Sequence, residues 1–491
     1  MTRYQHLAAL LGQRIEQGLY RSGERLPSVR ALSSEHGVSI STVQQAYHLL
    51  ETRQLIIPQP RSGYFVAPRK ATPPIPALTR PAQRPVEITQ WESVLELFNA
   101  CLDNSAFNFG SGTPDVSQSS IKPLWKFMSR FCQRQDERVL NYGNMYGVRE
   151  LREQVARLAL DSGCQLTRDD IVITTGCQEA LFVAVRAICE SGDIVAVESP
   201  TFPGTLQLLR GLGIKVIEIP TCAIEGMSLD ALKLALEQWP IKAVLLVPTC
   251  NNPLGFCMSD AYKQALITLA QQFDVAIIED DAYGELAYDY PRPRTVKSFD
   301  DDGRVLLCSS FSKTIAPGLR VGWIAPGRYL ERVLHMKYVC TGYTVTHTQL
   351  TVAEFIGQGW YQPHLRRMRM QYKANLDVFT CQVREYFPCE ICVSRPQGGF
   401  LMWIELPEQF DSLRLNRDVR KAGIQIAAGS LFSASGKYRN CMRLNYSLPF
   451  TQETSQGLRI VGETVAKMLA ERDDGKCRAE SPVEPGRNPI P

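Results

Sequence analysis

No apolar run in this 491-residue chain approaches the roughly 20 residues that a bilayer-spanning helix needs. The N-terminus, Met1-Thr2-Arg3-Tyr4-Gln5-His6, also lacks the apolar core of a signal peptide. Both absences lead us to expect a cytoplasmic protein without a membrane partner. Histidine is scarce, with six residues dispersed along the chain. The one CxxC, Cys389 to Cys392, has no second pair and no histidine near it, so no metal site is expected. The 15 cysteines are scattered, many within apolar runs such as those around Cys189, Cys250, Cys308 and Cys441. They read as reduced, buried small side chains, not as a disulfide framework. No repeat of roughly 20 to 50 residues is present, which excludes a solenoid. Large net charge is missing too: the sum is +4, with 21% charged and 44% hydrophobic residues, which excludes a mostly disordered or fibrous chain.

The small net charge conceals an uneven distribution. From Met1 to Lys70 there are nine Lys and Arg against four Asp and Glu, a balance of +5 that leaves −1 for the remainder. A basic excess confined to the first seventh of the chain is what contact with a polyanion requires. A proline-rich stretch, Pro68 to Pro85, has almost no apolar periodicity and reads as a semi-extended linker over residues 68–95. It separates a module at 1–67 from a large domain at 96–470, and the polar residues 471–491 read as a disordered tail.

In the first module, Leu7, Leu10, Leu11 and Ile15 have helical spacing. A second helix can start after Pro27 with Ser28 as its cap, and a third from about Ser41 places Val43, Ala46, Tyr47 and Leu50 on one face. Gly37-Val38-Ser39 between the last two is the tight turn of a helix-turn-helix, and Leu55–Ile57 and Tyr64–Val66 read as a two-stranded wing. The outer face of the third helix carries Ser41, Thr42, Gln44, Gln45 and His48, short polar groups able to reach base edges or phosphates. Arg25, Arg30 and Arg61 would neutralise phosphates. The string Gly23-Glu24-Arg25-Leu26-Pro27-Ser28-Val29-Arg30, with Gly37-Val38-Ser39, Thr42-Val43 and Ser62-Gly63-Tyr64, resembles the winged helix of GntR-type transcription regulators. That resemblance implies that Arg30, Ser39, Ser41, Thr42, Gln44, Arg61 and Gly63 contact duplex DNA.

The large domain alternates buried runs with helical segments. The runs are Ile171–Thr175, Ile194–Glu198, Lys215–Ile219, Ala243–Pro248, Val275–Asp280 and Val305–Ser309, a pattern that predicts an α/β fold with a mainly parallel sheet. In such sheets ligands sit at the carboxyl ends of strands. Lys313 follows one strand, flanked by Ser310, Ser312 and Arg320: an amine suited to a carbonyl cofactor beside hydroxyls and a guanidinium suited to a phosphate. Other strand ends supply Asp280 and Tyr283, Asn252, Phe202, and a Gly176-Cys177-Gln178 helix start. Each alone is common in structural roles; their order and spacing together point to one cofactor site.

That order resembles the fold-type I aminotransferases over about residues 105–465, with a smaller α+β C-terminal subdomain and pyridoxal 5′-phosphate as cofactor. By resemblance Lys313 is the aldimine lysine, Asp280 the partner of the pyridine nitrogen, Asn252 and Tyr283 the partners of the ring hydroxyl, and Phe202 the stacking ring. Cys177, Gln178, Ser310, Ser312 and Arg320 surround the phosphate. Gly112 and Arg443 meet the substrate, the arginine through its carboxylate. Tyr142 matches a tyrosine that reaches the phosphate of a neighbouring subunit, which implies a homodimer. Two residues depart from the pattern: Leu254 where Thr or Ser is usual, and Cys177 where a hydroxyl is common. A GntR-type winged helix joined to such a domain resembles the MocR group of regulators. It implies a transcription regulator that senses an amino acid or amine by exchange at Lys313, with a working aminotransferase carrying an accessory DNA-binding domain as the alternative. A third possibility, sensing of the vitamin itself, is weakened by the retained Arg443.

Overall fold

The computed structural model describes the chain apart from residues 1, 18, 21–22, 54, 60–61, 68–72, 79–83, 89–90, 93, 96–106, 134–136, 389 and 480–491. Two compact units result. The first comprises Met1–Pro73, Leu376–Cys389 and Phe450–Pro491, the second Pro74–Asn375 and Glu390–Pro449.

The first unit begins with helices α1 (Arg3–Glu16), α2 (Val29–His36) and α3 (Ile40–Thr52), followed by antiparallel strands β1 (Ile56–Gln59) and β2 (Gly63–Val66). Leu7, Leu11 and Ile15 close with Leu32, Val43, Ala46, Tyr47 and Leu50 into one core. Ser28 Oγ accepts from Ala31 N at 3.2 Å to start α2, and Gly37 ends it at φ 60°, a conformation that costs glycine nothing. Ser39 Oγ accepts from Thr42 N at 3.2 Å, so α3 starts at Ile40 on a proper N-cap. The winged helix expected from the sequence is therefore present. The later segments of this unit include the end of the helix Tyr361–Tyr386, where Cys381 Sγ donates to the Arg53 carbonyl at 3.2 Å. They also include the helix Gln452–Ala479. That helix corrects the expected tail boundary at 471, because Lys467 to Arg472 are strong helix formers and the first proline beyond them comes only at Pro482.

The second unit is built on an eight-stranded sheet. After the short strand β3 (Phe107–Asn108), which pairs with Ile424–Gln425 outside this sheet, its strands are β4 (Val172–Thr174), β5 (Ile194–Ser199), β6 (Lys215–Cys222), β7 (Gly226–Met227), β8 (Ile241–Leu246), β9 (Ala276–Asp280), β10 (Val305–Ser310) and β11 (Gly322–Ala325), in the order β4-β11-β10-β9-β8-β5-β6-β7. Strands β10, β9, β8, β5 and β6 are parallel, and β11 runs antiparallel to both its neighbours. Successive residues of β5 face opposite cores, Ile194 and Ala196 one, Val195 and Val197 the other, which explains its unbroken apolar run. A four-stranded antiparallel sheet, Cys392–Val393, Leu401–Glu405, Cys441–Asn445 and Ala427–Ala428 in spatial order, forms the smaller subdomain.

The linker expectation also needs correction. Pro74 O accepts from Val393 N at 2.8 Å, Val86 pairs with Val216 beside β6, and Ile88 and Val94 are buried in the two cores of this unit. A proline-rich segment without periodicity of its own can still lend its carbonyls and remaining N–H groups to a sheet edge.

Candidate cofactor and DNA-binding sites

The parallel strands of the second unit end around a cavity of about 180 Å³ lined by Cys177, Gln178, Phe202, Asn252, Asp280, Tyr283, Ser310, Ser312, Lys313 and Arg320. Residues separated by up to 143 positions in sequence are thus brought together, from a helix start and from the loops and ends of successive strands. Lys313 Nζ donates to the Gly112 carbonyl at 2.7 Å and lies 5.6 Å from the centre of the Tyr283 ring. Burial, and then the like charge of Arg443, push its amine down to about 8, against the pull of Asp280.

Asp280 ends β9. Its Oδ1 accepts from Ala282 N at 3.0 Å and from Cys177 Sγ at 3.4 Å, and burial pushes the carboxyl up to about 6. Asp281 beside it is committed elsewhere, since both its oxygens accept from Arg292 Nη2, at 2.8 and 2.7 Å. Of the Asp-Asp pair, Asp280 is the one that faces the cavity. Burial raises the Tyr283 phenol well above its ordinary range, opposed by Arg443.

Arg443 lies on the strand Cys441–Asn445, where its Nη1 donates to Asn252 Oδ1 at 3.1 Å and its Nη2 to the Gly110 carbonyl. Gly112 stands among these groups. A methyl there would lie 3.5 Å from Tyr283 Oη, 3.8 Å from Lys313 Nζ and 3.9 Å from Arg443 Nη1, so the missing side chain keeps open the space over the lysine.

At the other end of the cavity, Arg320 has φ 52° and donates to Ser312 Oγ at 3.4 Å and to the Thr175 carbonyl at 3.0 Å. Gly176 (φ 79°) caps the helix Cys177–Ile188, and a Cβ on it would come within 2.4 Å of Arg320 Nη2. Only glycine lets the guanidinium close over this helix N-terminus, whose amides and dipole suit an anion. Ser310 Oγ accepts from Ser312 N at 3.4 Å. Two side chains named for this end turn away: Cys177 towards Asp280, and Gln178 towards the Gly204 carbonyl at 3.3 Å.

Tyr142 is not brought to this cavity. It is 90% exposed and packs on Tyr343 at 5.1 Å between ring centres. Sequence reasoning missed Glu198 and Asn445. Glu198, at the end of β5, accepts from Val247 N at 2.8 Å and from Asn251 Nδ2 at 3.0 Å, while Asn251 Oδ1 accepts from Leu254 N, so the turn carrying Asn252 is held from behind. Burial pushes Glu198 up to about 8. A lone acid ending an apolar strand was the available signal. Asn445 Nδ2 donates to the Ser111 and Thr113 carbonyls, both at 2.9 Å, and so fixes the loop carrying Gly112.

In the first unit, Arg30, Ser39, Ser41 and Gln44 are exposed and Thr42 is half-buried. The Ser39 hydroxyl also contacts Ser41 Oγ at 2.9 Å and Thr42 Oγ1 at 2.8 Å, so it works first as the cap of α3. Gly63 opens β2 at φ 102°, with the Arg25 guanidinium over it. Arg61 lies outside the described residues, as does Cys389 of the CxxC. Among the described residues no cluster of metal-ligating side chains occurs and no helix is long and apolar enough to cross a membrane.

A winged helix and a doubly covered parallel sheet, with lysine, aspartate and an anion cradle at its strand ends, define a DNA-binding module fused to an aminotransferase-like, cofactor-binding domain. The chain belongs to the aminotransferase class I and II family, whose model matches residues 104–455, and residues 3–66 match the gntR family of bacterial regulatory proteins, the MocR-type combination. It is 60% identical over 469 residues to the uncharacterized HTH-type transcriptional regulator YjiR of Escherichia coli strain K12, covering 96% of this chain and 100% of that one. To the uncharacterized regulator YdcR of the same organism it is 33% identical, over 96% and 100% of the two chains. Kynurenine aminotransferase of Pyrococcus horikoshii superposes with a TM-score of 0.71 at 28% identity, covering 78% of this chain and 96% of that one. The family's cofactor is pyridoxal 5′-phosphate, and the buried carboxylate, depressed amine, open space over Gly112 and anion cradle fit it.

Proposed function

We propose that the chain is a transcription regulator whose large domain senses an amino acid or amine at Lys313. One observation carries this reading. The two cations a ligand would engage, Lys313 and Arg443, both hold the same loop, through the Gly112 and Gly110 carbonyls. An amino acid that places its carboxylate on Arg443 competes with that loop for its anchors, which gives a differential contact between free and bound states.

Pyridoxal 5′-phosphate supplies an aldehyde that condenses with amines and an electron-withdrawing ring. In this reading Lys313 would hold it, since burial brings its amine down to about 8 and makes the neutral form available there. Asp280 would keep a proton on the ring nitrogen, Asn252 and Tyr283 would hold the ring hydroxyl, and Phe202 would pack against the ring. Arg320, Ser310, Ser312 and the amides that follow Gly176 would take the phosphate, with Cys177 and Gln178 lining the wall. Tyr142 acts on the phosphate of a second subunit in a homodimer. Arg30, Ser39, Ser41, Thr42, Gln44, Arg61 and Gly63 meet duplex DNA.

The test is linkage between the sites. Operator duplexes selected from a random pool are bound to wild type, Arg443→Ala and Lys313→Ala, and amino acids are titrated by visible absorbance with and without duplex. Coupling of about 5- to 150-fold in ligand affinity is expected, and Arg443→Ala should abolish it. Equal affinities with and without duplex, accompanied by repeated keto-acid turnover, would establish the aminotransferase alternative instead.

A further inference from the structure

Beyond the cavity, the segment that carries Asn252 holds two facing thiols. Thr249 bridges Cys257, Met258 N donates to the Pro248 carbonyl at 2.8 Å and Asn251 N to the Phe256 carbonyl at 3.0 Å, so residues 248–258 fold back on themselves. Across this hairpin the Cys250 and Cys257 sulfurs are 3.8 Å apart, and Cys250 N donates to Cys257 Sγ at 3.4 Å. Cys250 is buried and Cys257 half-buried. The backbone at Gly398 closes the far side of Cys250, where a Cβ would come within 2.3 Å of its sulfur.

The two thiols are unequal. Cys257 is held below the ordinary thiol range by its contact with the Cys250 thiol, by the Cys250 N–H and by the Lys263 ammonium; Lys263 Nζ reaches Thr249 Oγ1 at 3.4 Å, on the residue that bridges Cys257. Cys250 is raised, first by that same hydrogen bond and then by burial. A partly accessible thiol within the field of a buried lysine, backed by a buried thiol 3.8 Å away, is the arrangement of an attacking and a resolving cysteine.

We propose that Cys250 and Cys257 are a redox-active dithiol that hydrogen peroxide converts to an intramolecular disulfide, loosening the turn that carries Asn252. The Cys257 thiolate takes one oxygen from the peroxide, whose O–O bond breaks to release hydroxide. The Cys250 thiol then attacks the sulfenic sulfur, the S–S bond forms, the S–O bond breaks and water leaves. Two thiols are oxidised and one peroxide is reduced. Closing the ring draws the sulfurs from 3.8 Å to about 2.05 Å and reshapes residues 251–256, which include Asn252 with its bond from Arg443. The effect on the cofactor rests on the reading that Asn252 faces its ring.

Full-length reduced protein is treated with peroxide, alkylated and peptide-mapped. Cys250 and Cys257 should escape alkylation in a peptide lighter by two hydrogens, dithiothreitol should reverse this, and Cys250→Ala should instead trap Cys257 as a dimedone adduct. Pyridoxal 5′-phosphate should bind the oxidised protein about threefold to tenfold more weakly, the equivalent of one lost hydrogen bond, and Cys257→Ser should remove the sensitivity. Full alkylation of both thiols after a dose that oxidises the exposed Cys132 and Cys340 overturns the proposal, as does a disulfide that leaves cofactor affinity unchanged. Asn252→Ala in the reduced protein checks the site separately: unchanged affinity there counts against the role of Asn252 while the disulfide map stands.

Discussion

The amine of Lys313 lies between opposing influences. Burial and Arg443 favour the neutral form, and Asp280 favours the charged one, with a net fall from an ordinary value near 10.5 to about 8. A lysine whose folded value lies below its unfolded value binds fewer protons folded than unfolded between the two. Stability of the cofactor-free protein therefore rises as pH increases from about 8 towards 10.5, and the cost of burying the charge is fully present below about 8. Lys313→Met removes this contribution. In urea unfolding, wild type should gain on that variant by on the order of 1 to 3 kcal/mol between about pH 7 and pH 9.5. A pH-independent gap would show that the amine is not desolvated. Gly112 makes a complementary point about space. Gly112→Ala adds only ordinary van der Waals contacts to Tyr283, Lys313 and Arg443, so folding should survive, but the methyl occupies the volume over the amine. Cofactor or ligand affinity should fall by about 5- to 100-fold, the cost of overpacking a fitted site, in an absorbance titration. Wild-type affinity in this variant would place the ligand elsewhere.

Among the elements, α3 separates two roles that its sequence leaves mixed. Ser39 caps the helix through Thr42 N, whereas Gln44 is an exposed polar residue on its outer face. Ser39→Ala should cost about 1 kcal/mol of first-unit stability and weaken DNA binding for all sequences alike. Gln44→Ala should leave thermal stability unchanged and alter preference at one base pair by about 1 to 3 kcal/mol, read by binding to a library of single-substitution operators. The reverse pattern would move base recognition off this face. The same division governs what was legible in the sequence. The parallel strands could be read because β5, β8, β9 and β10 are buried on both faces, the exposed Lys242 of β8 excepted, and so each carries a short apolar run before its polar end or turn. Strand β11 was not, because its four residues closely follow a left-handed Arg320 and its pairing with β4 links residues far apart in sequence. The docking of Pro74 and Val86 left no local signature for the same reason: a sheet edge elsewhere in the chain supplies the partner. At the cavity, residue types and order revealed the lysine, aspartate and anion cradle. The direction taken by the Cys177 and Gln178 side chains, and the support from Glu198, depend on three-dimensional neighbours and could not be read.

Tyr142 raises the question of how many chains make one site. It is 90% exposed, as is Leu140, and its described contact is with Tyr343 of its own unit, away from the cavity that holds Lys313. Exposed apolar and aromatic side chains in one segment suit an interface between copies, and a phenol there could serve a site only in the neighbouring chain. If so, a site consists of Lys313 from one subunit and Tyr142 from the other. Each single variant, Tyr142→Ala and Lys313→Ala, should then spoil both sites of its own homodimer. A mixed dimer would regain one intact site, because the first chain contributes its lysine and the second its tyrosine, while the other site loses both. If Tyr142 instead served its own chain, every site of the mixed dimer would lack one group and nothing would be regained. Co-expression with two affinity tags isolates the mixed dimer, and borohydride reduction followed by peptide mapping counts the cofactor fixed to Lys313. Recovery of wild-type cofactor affinity at one site per dimer is the expected result. Affinity no better than that of the Tyr142→Ala homodimer, in a verified mixed dimer, would confine each site to a single chain.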